Sequence, residues 1–104
     1  MSAKEKTGKN ETNEVAPVLN VMRDYMRYYA VSTEGNDQKA VQTFKRYEAQ
    51  EKVRRLQNEL TLIKSGSVPQ QTCDAVVGKK REAKYHGYDK WASLMLQWIA
   101  AAKK

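Results

Sequence analysis

The twenty-nine residues from Asp37 to Ser65 contain neither glycine nor proline, yet their apolar side chains fall on two opposed stripes. At about 100° per residue, Ala49, Val53, Leu56, Leu60 and Ile63 lie within about 80° of Val53, whereas Ala40, Phe44 and Tyr47 lie on nearly the opposite side. An uninterrupted stretch of this kind predicts one long helix, capped at its start by Asn36 or Asp37 and closed by Gly66. At 1.5 Å per residue that helix would be about 43 Å long, more than the diameter of a compact domain of this size, so part of it should project. Its two stripes need two partners. Either the N-terminal half packs on a preceding helix and the C-terminal half on later ones, or a second protein covers one stripe. In the second case Phe44 and Tyr47 form the interaction surface, and the chain is a helical protein–protein interaction module, a homodimer or an assembly subunit.

Helical spacing recurs elsewhere, and no segment alternates as a strand would. Near Pro17 to Ala30, Val18, Met22, Tyr25, Met26 and Tyr29 share one face. Pro17 suits a first helical turn, where its missing N–H is not needed. Pro69 to Val77 puts Cys73, Val76 and Val77 together, with Ser67 and Gln70 spaced as a capping box. The last segment carries Trp91, Leu94, Met95, Trp98, Ile99 and Ala102 in a continuous stripe, with Asp89 placed to cap it. The expected fold is all-α: a small bundle of three to four helices with one long central helix. Residues 16–104 make the single domain. Residues 1–15 hold too few apolar groups to offset their ordering entropy and are expected to be a disordered tail.

The net charge of +7 is uneven: residues 1–36 balance, residues 37–66 carry an excess of three cations and residues 67–104 an excess of four. That field favours polyanions by steering and counterion release. One cysteine excludes an internal disulfide, and one histidine beside it leaves too few soft ligands for a zinc site. The longest apolar run, Trp91 to Ala102, is too short to span a bilayer. The N-terminal residues lack the apolar centre of a secretory signal. A cytoplasmic protein with no membrane contact and no cofactor is the expectation.

Catalysis needs a nucleophile with a positioned base, or two carboxylates at controlled distance. Cys73 on an apolar stripe and His86 beside a turn glycine do not supply that setting, so no enzyme is expected. The densest chemistry lies in "VVGKKREAKYHGYDKW", residues 76–91. Lys79, Lys80, Arg81, Lys84 and Lys90 could each meet a phosphate, and Tyr85 and Tyr88 could stack on unpaired bases. Trp91 belongs to the core stripe. Arg54 and Arg55 on the long helix add a second strip, partly satisfied by Glu51 and Glu59. The short glycine-containing turn at Ser65–Val68, followed by Gln70, Gln71 and Thr72, resembles a helix-turn-helix DNA reader over about thirty residues. That resemblance implies a recognition helix opening at Gln70. Together these features predict a non-enzymatic protein that binds RNA or DNA mainly through phosphate contacts.

Overall fold

A computed structural model of the chain describes residues 19–33 and 35–103. The expected tail and Pro17 lie outside them. Six α-helices follow in order: α1 (Asn20–Tyr25), α2 (Asp37–Tyr47), α3 (Gln50–Lys64), α4 (Gln70–Val76), α5 (Lys79–Tyr85) and α6 (Tyr88–Ala101). A π-helical segment, Met26–Ala30, and a 3-10 turn, Val31–Thr33, continue α1. No strand occurs among the described residues. The all-α expectation holds, with more helices than the three to four predicted.

The single long helix is not what forms. Glu48 (ψ 155°) and Ala49 (ψ 148°) are extended, and the chain turns there into a second helix. The opposed stripes explain why. A straight rod can press only one side against the bundle, whereas an elbow between Tyr47 and Gln50 lets each half turn its own apolar face inward. Ala40, Val41 and Phe44 of α2 are buried against the π-helical segment and α6, while Val53, Leu56, Leu60 and Ile63 of α3 are buried against α1 and α6. Phe44 is fully buried, edge-on to Tyr25 (5.8 Å) and Tyr29 (5.1 Å). It therefore cannot serve as an interaction surface; its ring has found its partner inside the chain. Tyr47, one turn on and 73% exposed, stays outside.

Local signals account for most boundaries. Asn36 Oδ1 accepts from the Lys39 N–H at 3.0 Å, a side-chain cap of the expected kind. Gly66 (φ 79°) ends α3 in a Schellman arrangement: its N–H reaches the Ile63 carbonyl and the Ser67 N–H reaches that of Leu62. The pairs Glu48–Lys52 and Glu51–Arg55 form as spaced. Two expected caps do not form. Ser67 bonds to Ser65 instead of the start of α4, and α6 opens at Gly87 with Asp89 inside its first turn.

Helix ends are also held from a distance. Leu19, at the start of α1, is left-handed (φ 58°) and offers no side-chain acceptor. Glu59 of α3 takes the Val21 and Met22 N–H groups instead, at 3.1 and 2.7 Å. At the other end of the bundle, Lys45 of α2 donates to the Ile99 carbonyl of α6 at 2.7 Å. Both contacts put opposite charge against a helix end, which favours the packing they bridge. α6 is the common wall: Trp91, Ala92, Met95 and Ile99 are fully buried against α2, α3 and α5.

Candidate nucleic-acid interface

α5 decides which of the sequence-selected cations reach solvent. In seven residues flanked by Gly78 and the left-handed His86, positions 81 and 85 fall on one side and positions 79, 80 and 83 on the other. The inward side meets Asp37, the first residue of α2 and 2% exposed. Arg81 holds the Asp37 carboxylate bidentately, Nε to Oδ2 and Nη2 to Oδ1, both at 2.9 Å. Trp91 Nε1 donates to Oδ2 at 3.1 Å and Tyr85 Oη at 3.4 Å. Tyr25 Oη donates to the Asp37 carbonyl at 3.4 Å. Arg81 also donates Nη1 to the Val77 carbonyl.

A carboxylate this deep is tolerable only when paired and hydrogen-bonded throughout, and here Arg81 and Tyr85 of α5 and Trp91 of α6 supply those contacts. Burial pushes the Tyr85 phenol above its usual value, with the Asp37 charge and hydrogen bond adding to it. The Arg81 guanidinium is pushed up as well: burial opposes its charge, and the hydrogen bond and charge of Asp37 outweigh that opposition.

Arg81 and Tyr85 are thus taken up internally, and Tyr85 further packs edge-on against Trp98, ring centroids 6.4 Å apart. Tyr88 is buried and its hydroxyl donates to Asp74 at 2.6 Å, so its face is not offered to a base. Lys79, Lys80, Lys84 and Lys90 remain exposed. Lys79 lies 4.0 Å from Asp74, at the limit of an ion pair, and Lys84 sits 5.3 Å over the Tyr85 ring. On α3, Arg54 is exposed and Arg55 pairs with Glu51 at 3.3 Å. α5 packs on α6, and α3 packs on α1 and α6.

The acidic side chains are largely spoken for. Asp24 and Glu48 meet Lys52, Asp37 meets Arg81, and Glu51 meets Arg55. Glu59 is bound to the start of α1, and Glu82 accepts from Gln70. Gln70, expected to open a recognition helix, spends its amide on Glu82 and Asp74, and α4 is only seven residues long. Sequence reasoning missed Asp37, because a buried acid in a first helical turn looks like any capping residue.

Cys73 is buried, with its thiol 4.0 Å from the Val68 carbonyl, and burial raises its pKa, with Asp74 and Glu82 adding to the effect. That is the environment of an inert thiol. Among the described residues no three His, Cys, Asp or Glu side chains gather as a metal site, and no helix is long and apolar enough to cross a membrane. The chain matches no family model, no curated protein and no solved structure with which it was compared.

Proposed function

We propose that this chain is a non-enzymatic nucleic-acid-binding protein that grips phosphates through the outer face of α5 and the adjoining start of α6. The observation that carries this reading is the division of α5. Arg81 and Tyr85 anchor the helix inward, which leaves Lys79 and Lys80 on its outer side, with Lys84 exposed on its flank and Lys90 one hairpin away. Engagement of most carboxylates elsewhere leaves the surface field positive. Recognition then rests on phosphate contacts rather than base stacking, since Tyr88 is buried and Tyr85 only half exposed. Arg54 supplies a further, separate contact.

The test is a salt titration of binding to a short RNA and to a DNA duplex. Affinity should fall linearly with salt on logarithmic axes. Replacing Lys79, Lys80 and Lys84 together by Ala should make the duplex slope shallower by about 2 to 3, roughly 0.9 for each lost phosphate contact. An unchanged slope removes α5 from the interface. Assembly through α2 is the alternative, and it retains only Tyr47. A concentration-dependent dimer in sedimentation, lost on Tyr47→Asp, would favour it.

A further inference from the structure

A second basic feature lies away from α5. The solvent-facing stripe of α2 carries Lys39, Gln42, Thr43 and Arg46, spaced i, i+3, i+4 and i+7, so a cation stands at each end of two helical turns about 10 Å long. Facing it is the end of α6, where Ala101, Ala102 and Lys103 form the other wall of an open cleft of about 410 Å³. Among the described residues no acidic side chain lines it.

The carbonyl end of a helix would ordinarily weaken such a site for anions. Here two of the last four carbonyls of α6 are already answered. Lys45 donates to the Ile99 carbonyl at 2.7 Å, and the Ala102 N–H reaches the carbonyls of Trp98 and Ile99 at 3.0 and 3.3 Å. The charge of Lys45 is thereby set against the negative end of the dipole, and Lys39, Arg46 and Lys103 are left to the cleft. Thr43 donates its hydroxyl to the Lys39 carbonyl at 2.9 Å, which leaves its oxygen lone pairs and the Gln42 amide as the neutral lining. Ala101 and Ala102 are small, and their methyl groups keep open the space a longer side chain would fill.

We propose that this cleft binds a compact, multiply charged phosphate anion of the oligophosphate class, with Lys39 and Arg46 holding its two ends and Lys103 closing over it. The site does not include Lys79 or Lys80 and needs no nucleic acid. Isothermal titration calorimetry of the full chain with tripolyphosphate at fixed ionic strength tests it. Lys39→Ala combined with Arg46→Ala should weaken binding by about tenfold or more, as loss of charge-assisted hydrogen bonds requires. Ala101→Phe, which fills the cleft at an exposed position without altering charge, should do the same. Replacement of Lys79 and Lys80 by Ala should leave tripolyphosphate affinity within about twofold, because neither residue lines the cleft. Absence of tripolyphosphate binding overturns the proposal. So does binding that survives Ala101→Phe, which would mark a diffuse positive field. Binding of RNA alone at these residues, with no response to tripolyphosphate, overturns it too.

Discussion

The two sides of α5 carry the same kind of charge and do opposite work. Inward, Arg81 is committed to one carboxylate by a planar fork of two 2.9 Å bonds and is mostly shielded from water. Outward, Lys79 and Lys80 are flexible ammonium groups in high dielectric, where a nearby acid such as Asp74 at 4.0 Å gains little. A cation next to a buried acid becomes structure; one a single helical position away stays available. The rigid guanidinium and the compact ammonium suit these two roles.

Arg81→Ala breaks the contrast hardest. It leaves Asp37 buried without its counter-charge, and the expected loss is about 3 kcal/mol or more, a fall in Tm of roughly 12 °C or beyond. Chemical and thermal unfolding measure it; a change below about 1 kcal/mol would mean that water or another group satisfies Asp37. Asp37→Asn should cost somewhat less, about 2 kcal/mol, since shape and one acceptor survive while the guanidinium loses its charge partner. Tyr85→Phe should cost under about 1 kcal/mol, because its hydrogen bond to Asp37 is long at 3.4 Å.

Tyr85 also gives the contrast a pH signature. Its pKa is raised from the ordinary 10.0 by burial first and the Asp37 charge second. Its folded-state preference for the neutral phenol therefore supplies stability in full below about pH 10, and that stability disappears as pH rises through the higher folded value. Unfolding midpoints followed from pH 9 upward should fall less steeply in Tyr85→Phe than in the parent chain. Smallest of all, Lys79, Lys80 and Lys84 replaced together by Ala should move stability by no more than about 0.5 kcal/mol, while changing the salt slope of nucleic-acid binding. A large loss of stability there would erase the distinction between the two faces.

How far the sequence announced this arrangement depends on the range of the interaction. The stripe of α6, the stop at Gly66, the Asn36 cap and the i to i+4 pairs are local, and spacing reveals them. The elbow at Glu48–Ala49 was half legible. The apolar stripe changes sides between Tyr47 and Ala49, but without a glycine or proline there the change read as one rod with two partners. The seven residues of α5 carry little periodic signal, so spacing does not reveal a separate helix there. The Asp37–Arg81 pair spans 44 residues and Glu59 reaches back 38 to α1. Neither has a periodicity, so nothing in the order of residues singles out which acid meets which donor. Lys79, Lys80, Lys84 and Lys90 stayed outside as expected, whereas Arg81, Tyr88 and Phe44 were drawn in by partners the linear pattern does not display.

The dependence of α2, α3 and α5 on α6 bears on how a cell must make this chain. Trp91 joins Asp37 from 54 residues downstream, and the wall that Leu56 and Leu60 lean on belongs largely to residues 88–101. A nascent polypeptide emerging from the ribosome therefore presents those side chains before the element that shelters them exists. Until that stretch is translated, those apolar groups are open to the misassembly that transiently exposed hydrophobic surface invites.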